Sequence, residues 1–189
     1  MPRVPKAIQV ISERDMVTFR VLFNCNHVAH DKTPISISRA KTYEKMGLVN
    51  LCRDIDNRVI LRCTAKGRSY ISKLPEFAGR KPYINYAAAE HNCKLAEIYL
   101  GLSADQQRYW RTEREQADMY QDRLHELREH DYDRWKELVD KPYSPCDAAI
   151  VSESGQIELV EVVTDHYRGV EDKETYAQVM SAEVTYYKI

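Results

Sequence analysis

The chain has 189 residues, of which 43% are hydrophobic and 30% are charged. No apolar stretch approaches the ~20 residues that a membrane-spanning helix needs, and no apolar segment follows the basic N-terminus as it would in a secretory signal. Five cysteines without a Cys-x-x-Cys pair argue against a disulfide framework and a structural zinc site. We therefore expect a cytoplasmic protein with no membrane partner.

The formal net charge of −1 conceals two halves of opposite sign. Residues 1–81 contain 16 Lys and Arg against 7 Asp and Glu, whereas residues 82–189 contain 12 against 22. A basic half is expected of a surface that neutralises phosphates, and an acidic half is repelled by the same polyanion. The division predicts two domains, a DNA-binding domain over residues 1–78 and an acidic domain over residues 79–189.

The basic half contains signals for two helices followed by a β-hairpin. Ser12 is a suitable N-cap for the first helix, and Gly47 is a suitable residue to end the second. The second helix starts at Ser36 or Ser38. The predicted elements are helices over residues 13–24 and 36–46 and strands over residues 48–53 and 58–63, with an apolar tail at residues 70–74.

The second helix and the hairpin are the predicted DNA contacts. Residues 39–81 hold 11 basic and 4 acidic side chains, and Glu44 is the only acid on the helix. A helix of this kind fits the ~12 Å major groove, and a basic hairpin can lie on the flanking phosphates. The candidate contacts are Ser38, Arg39, Lys41, Thr42 and Lys45 on the helix and Arg53, Arg58 and Arg62 on the hairpin.

Two short segments carry a family resemblance. Lys45-Met46-Gly47-Leu48-Val49 and Thr64-Ala65-Lys66-Gly67-Arg68, in this order of elements, resemble the signature of winged-helix DNA-binding domains. The resemblance covers about residues 10–75 and implies double-stranded DNA as a partner. Winged helices also bind proteins, so an adaptor without a DNA partner remains an alternative.

The acidic half alternates helices and strands. Its predicted elements are helices over residues 86–102, 116–138 and 171–181, a hairpin over residues 143–164 with a Glu-Ser-Gly turn, and a strand over residues 184–189. Residues 109–113 fit either a short strand or a helical turn. The charged helix over residues 116–138 has only a narrow apolar stripe, which predicts a partly exposed helix.

The hairpin resembles the core of restriction-endonuclease-like, or PD-(D/E)xK, nucleases. Asp147 precedes its first strand and Glu161 lies in its second, which implies carboxylates that hold Mg²⁺, while Glu90 stands where a third metal ligand often occurs. The lysine of the motif is replaced by Val163. An active nuclease would therefore have to take a basic group from elsewhere, such as Lys173 or Arg168.

The whole arrangement resembles the replication-relaxation family of plasmids, conjugative elements and phages. The resemblance rests on four short segments that follow the winged helix: residues 91–98, 110–113, 147–151 and 161–164. It implies an α+β or α/β protein of two domains, an N-terminal winged helix and a C-terminal, small restriction-endonuclease-like mixed sheet flanked by helices.

The resulting functional expectation is a double-stranded-DNA-binding accessory or regulatory protein of a mobile genetic element. The nuclease-like domain would serve assembly, as a homodimer or through another protein partner, with no cofactor. The alternative is a Mg²⁺-dependent endonuclease in which Glu90, Asp147 and Glu161 are catalytic and Asp147 and Glu161 bind the metal.

Overall fold

The structure is a computed structural model that describes residues 10–85, 89–165, 167 and 170–189. It is an α+β protein whose chain divides into two compact units, Met1–Gly101 and Leu102–Ile189, each with its own β-sheet. Within the described ranges, every helix is too short or too polar to cross a membrane.

The first unit combines helices with a three-stranded antiparallel sheet. Strand β3 is the central strand of this sheet, and it pairs with β1 on one side and β2 on the other. The elements in chain order are α1 (Glu13–Cys25), β1 (His27–Ala29), α2 (Ile37–Lys45), β2 (Val49–Arg53), β3 (Val59–Cys63), α3 (Ala65–Ile71) and α4 (Ala89–Gly101).

The two predicted helices and the hairpin of the basic half are confirmed. Strand β1 was not predicted, because three buried residues directly after a helix carry no alternation that a sequence pattern could reveal. The end of α1 at Asn26, with φ of 65°, turns the chain into this strand. Residues 70–74 were expected to be an apolar tail, but α3 covers the first two of them because Thr64 caps that helix.

The two winged-helix-like segments contact each other. Gly47 has φ of +72°, and the Thr64 hydroxyl donates to its carbonyl at 2.6 Å. Lys66 Nζ donates to the carbonyl of Met46 at 2.7 Å, so it satisfies an acceptor at the C-terminal end of α2. A Cβ atom on Gly67 would lie 2.0 Å from the carbonyl oxygen of Leu48. These segments therefore fix the end of α2 against the start of α3.

Helix α4 belongs to the first unit because it packs against α1 and β1. In this packing, Cys93 of α4 joins Ala29 and Ile60 in one buried cluster. The sequence places a domain boundary at residues 78/79, whereas the compact units divide after Gly101. Of the predicted helix over residues 86–102, residues 86–88 lie outside the described ranges.

The second unit has a four-stranded mixed sheet in the order β4-β5-β6-β7. Strands β4, β5 and β6 are antiparallel, and β7 runs parallel to β6. The elements are α5 (Ala104–Arg108), β4 (Trp110–Thr112), α6 (Glu113–His130), α7 (Tyr132–Leu138), β5 (Ala148–Val151), β6 (Ile157–Val163), α8 (Val170–Met180) and β7 (Glu183–Lys188).

The second unit confirms the predicted hairpin, the helix after it and the final strand. The undecided segment at residues 109–113 contains strand β4, whose Trp110 is fully buried. The single helix expected over residues 116–138 is wrong. Asp131 leaves the helical conformation, with φ of −148°, and its side chain accepts from Arg134 N to begin a new helix.

Candidate functional sites

Helix α2 presents a polar face with two cationic side chains. The Ser36 side chain accepts from Arg39 N at the start of the helix, and Ala40 and Tyr43 are buried. The spacing of three and four residues places Ser38, Lys41 and Lys45 on the opposite, exposed face. Within the described ranges, the side chains of Lys41 and Lys45 make no hydrogen bond or ion pair, so their ammonium groups are available to a ligand.

Arg39, another predicted DNA contact, is engaged inside the unit. Its Nη2 and Nε atoms lie 2.6 Å and 3.0 Å from the two carboxylate oxygens of Asp15, and the Tyr43 hydroxyl donates to the same carboxylate. Burial opposes ionisation of Asp15, but hydrogen bonds from Arg39, Tyr43 and Ser12 outweigh burial and hold the pKa of Asp15 well below its usual range. Arg39 therefore neutralises a buried charge that links α1 to α2.

The hairpin arginines also differ in their partners. Arg53 Nη1 donates to the Asn57 carbonyl at 2.7 Å, and Arg58 Nε lies 2.7 Å from Asp54 Oδ2. Arg62 is exposed and carries no such partner within the described ranges. The acids of the turn thus compensate part of the positive charge expected there, and the uncompensated charge lies on α2 and at Arg62.

In the second unit, the β5–β6 hairpin brings Asp147 and Glu161 together. Ala148 is opposite Val160, so the antiparallel register places Asp147, one residue before β5, opposite Glu161. The Asp147 amide donates to Glu161 Oε2 at 3.0 Å, and the Val162 amide donates to Asp147 Oδ2 at 2.8 Å. Each carboxylate therefore holds the backbone of the partner strand.

A lysine from α8 completes this cluster. Lys173 Nζ lies 3.0 Å from Glu161 Oε2 and donates to the Pro145 carbonyl, and the Tyr167 hydroxyl donates to Glu161 Oε1 at 2.7 Å. Glu161 lies on the face of β6 that carries Leu159, which packs in the core with residues of α8. The ammonium that Val163 cannot provide thus enters from the next helix.

The cluster is closed to solvent. Asp147, Glu161 and Lys173 are 6%, 4% and 7% exposed. Burial and the neighbouring Asp147 carboxylate raise the pKa of Glu161, whereas the Lys173 ammonium and the Tyr167 hydroxyl act in the opposite direction. Burial also raises the pKa of the adjacent Cys146 thiol to about 12, so this thiol is protonated at neutral pH.

These residues do not fit a Mg²⁺ ion. Mg²⁺ requires near-octahedral oxygen ligands and keeps several of its waters. Both oxygens of Glu161 and Oδ2 of Asp147 already accept hydrogen bonds, and an ammonium occupies the space beside Glu161 Oε2. The geometry is that of a buried ion pair whose carboxylate oxygens are engaged in hydrogen bonds, so a metal ion would have to displace existing contacts.

The remaining predicted site residues are distributed as follows. Glu90 is exposed in the first turn of α4, which belongs to the first unit, whereas Asp147 and Glu161 lie in the second. Arg168 lies outside the described residues. Across residues 10–85, 89–165, 167 and 170–189, no group of three or more His, Cys, Asp or Glu is arranged to hold a metal ion.

Sequence reasoning missed two of the polar residues that shape these sites. Asp15 could have been singled out, because the Ser12-x-x-Asp15 spacing is that of a capping box. Tyr167 carried no signal, since a tyrosine in a loop identifies no partner before the tertiary structure is known.

Comparisons of the chain with protein-family models, curated proteins and solved structures gave no match.

Proposed function

We propose that this chain binds double-stranded DNA through its first unit, in the manner of a winged helix, and acts as an accessory or regulatory protein in DNA transactions of a mobile genetic element. The order α1-β1-α2-β2-β3 supports the winged-helix assignment. The observation that carries the proposal is the exposed face of α2, where Lys41 and Lys45 have no intramolecular partner within the described ranges.

The charge balance of the two units supports the same proposal. Residues 1–101 carry 17 basic and 9 acidic side chains, whereas residues 102–189 carry 11 and 20. The first unit is therefore attracted to a polyanion and the second is repelled. The second unit, whose candidate metal ligands Asp147 and Glu161 are buried in an ion-paired cluster, is assigned to assembly or partner contact rather than to phosphodiester cleavage.

The test is charge reversal at Lys41 and Lys45 in the full chain. We expect Lys41→Glu/Lys45→Glu to weaken binding to a short duplex at least ~10-fold at ~0.1 M salt, because two phosphate contacts become repulsive. The negative slope of the logarithm of the DNA association constant against the logarithm of the salt concentration should become shallower by about 1 to 2. Arg39 is unsuitable for this test, since its loss would leave the buried Asp15 charge uncompensated and destabilise the unit.

The matched control is Lys136→Glu/Lys141→Glu, which makes the same charge change at exposed positions of the second unit. If both double variants lose affinity equally, the effect is one of net charge and the α2 surface is not the contact. Failure of the wild-type chain to bind a duplex at physiological salt would favour the protein-interaction adaptor. Mg²⁺-dependent plasmid cleavage that Asp147→Ala abolishes would overturn the assignment of the second unit.

A further inference from the structure

Strand β7 is an exposed edge of the sheet in the second unit. Among the described residues it pairs only with β6, and at six residues it is longer than β4, the three-residue strand at the opposite edge. Tyr186 is 40% exposed, and the side chain of Lys188 is 78% exposed. An edge strand presents unpaired N–H and C=O groups, which can pair with another strand. Strand β7 is therefore a surface to which a further strand can be added.

The backbone groups that face outward belong to alternate residues of β7. The Ile189 amide donates to the Val163 carbonyl at 3.1 Å, so the backbone N–H of Ile189 points toward β6. Successive residues of a strand direct their N–H and C=O groups to opposite sides. Val184, Tyr186 and Lys188 therefore direct theirs away from β6, toward the position of an added strand.

A second copy of β7 fits this edge. Antiparallel pairing joins outward-facing residues of one strand to outward-facing residues of the other. A two-fold axis at Tyr186, the middle one of the three, meets this condition and pairs all of them. In this register Tyr186 lies opposite its own copy, and Val184 lies opposite Lys188 of the second copy. A two-fold axis also gives a closed dimer rather than an open filament.

The charges beside β7 favour the same register. Strand β7 and α8 border a groove of about 540 Å³, whose charged lining residues are Glu174, Glu183 and Arg134. The groove is therefore acidic on balance, and Val184 also lines it. Because Lys188 of the second copy lies opposite Val184, its ammonium enters at this groove.

Glu174 is the acid best suited to meet this ammonium. It is exposed on α8, and it makes no ion pair or hydrogen bond within the described ranges. The two-fold axis repeats the contact, so each copy supplies one Glu174 and one Lys188. Opposite charges across paired strands stabilise the pairing.

We propose that β7 pairs with β7 of a second copy of this chain, antiparallel about a two-fold axis at Tyr186, so that two four-stranded sheets join into one. This deepens the assembly role proposed for the second unit and rests on it, whereas DNA binding by the first unit is a separate matter. The dimer carries two copies of the first unit, as proteins that bind two half-sites do. Two short strands bury less than the ~800 Å² per partner of a standard interface, so we expect association in the micromolar range.

The experiment exchanges the two charges in the full chain and measures association by sedimentation equilibrium up to about 200 µM. The wild-type chain should approach the mass of two chains. Lys188→Glu should raise the dissociation constant of the dimer at least ~10-fold, because it places two acids together twice across the interface. Lys188→Glu/Glu174→Lys should restore the dissociation constant to within ~3-fold of wild type, because the opposite charges are only exchanged.

The matched control is Lys188→Glu/Glu171→Lys. It has the same net charge, and Glu171 is also exposed on α8 but does not line the groove. This control should not restore the dimer. A wild-type chain that stays monomeric at the highest concentration, or equal restoration by the two double variants, would overturn the proposal.

A second pair of variants tests the backbone pairing itself. Tyr186→Pro removes an outward N–H group, and proline is tolerated where the N–H of an edge strand faces solvent. We expect it to abolish the dimer and to leave the circular dichroism spectrum unchanged. Tyr186→Thr keeps the N–H group and should still dimerise. A dimer that persists in the proline variant, or equal loss in both variants, would contradict pairing through the backbone.

These measurements contain no DNA, so the two proposals can fail separately. A chain that binds a duplex as a monomer would overturn the β7 pairing and leave the proposed DNA binding intact. A dimer without affinity for a duplex would support the β7 pairing and contradict the DNA-binding function.

Discussion

At the residue scale, the buried polar side chains of this protein hold segments together. Asp15 joins α1 to α2 through Arg39 and Tyr43, and Glu161 joins β6 to α8 through Lys173. In both cases the buried carboxylate would be costly alone, and a cation from a different element compensates its charge. From the sequence alone, Arg39 is a candidate for DNA contact and Glu161 a candidate for catalysis.

His27 of β1 provides a pH-dependent test at this scale. It is 3% exposed, and Asn92 Nδ2 lies 2.8 Å from its Nδ1. Burial, assisted by the charge of Arg62, lowers the pKa of His27 from 6.5 to about 4. The unfolded chain therefore binds a proton more readily than the folded chain between these values, and the stability contributed by neutral His27 is lost as the pH falls from 6.5 through 4.

We expect the free energy of unfolding to decrease over this interval by an amount that approaches ~3 kcal/mol when His27 is fully protonated. The measurement is denaturant unfolding of wild type and His27→Gln at several pH values. Glutamine keeps a hydrogen-bond acceptor for Asn92 but does not titrate, so the difference between the two proteins isolates His27. A difference that is constant from pH 7 to 4 would contradict the lowered pKa.

At the element scale, the approach of α3 to the end of α2 orients the candidate DNA-binding helix. Lys66 satisfies the carbonyl of Met46, and Gly67 permits the backbone of Leu48 to come close. The two segments that resemble a winged-helix signature therefore act through backbone packing, and Lys66 caps the C-terminal end of α2. The exposed face of α2, with Lys41 and Lys45, is left open to a ligand.

Gly67→Ala tests this contact. The added Cβ would lie 2.0 Å from the backbone oxygen of Leu48. Because the contacted atom belongs to the backbone, no side-chain rotation can relieve the clash, and α3 must move away from the hairpin. We expect a destabilisation of about 2 kcal/mol or more, measured by chemical denaturation. Gly101→Ala is the control, because its Cβ would meet no atom within 4 Å and alanine favours the helix. Equal stability of the two variants would contradict the close packing.

At the scale of the whole molecule, opposite charge is divided between two units that fold around separate sheets. The division after Gly101 leaves the first unit with 17 basic and 9 acidic side chains and the second with 11 and 20. Much of the acidity of the second unit lies on exposed positions of α6 and α7. This negative charge repels a polyanion, so we expect the proposed DNA binding to be restricted to the first unit.

Neutralising part of this field should strengthen DNA binding at low salt. The variant Asp122→Asn/Glu137→Gln/Asp140→Asn changes three exposed acids of the second unit. We expect a roughly 2- to 5-fold gain in affinity for a nonspecific duplex at ~0.02 M salt, because charges interact over a longer distance there. The gain should disappear above ~0.3 M salt. A gain that persists at high salt would indicate a direct contact between these positions and DNA.

The sequence alone determined most of the elements and singled out Asp147 and Glu161, but only the register of β5 and β6 shows that these two carboxylates face each other. Helix caps at Ser12 and Ser36, the glycine after α2 and the Glu-Ser-Gly turn are local signals, and a hairpin register fixes which residues face each other. Local signals did not reveal β1, because a three-residue strand exists only through its pairing with β3.

Only the tertiary structure decided which charges are free and which are compensated. Arg39 and Lys41 are two residues apart on one helix, yet the first is bound to Asp15 of α1 and the second is exposed. The lysine that joins Glu161 comes from α8, twelve residues away in the chain, and the sequence could name it only as one of two candidates. The energy of a charged group depends on its burial and on partners from distant segments, and both are decided only when the helices and strands pack together.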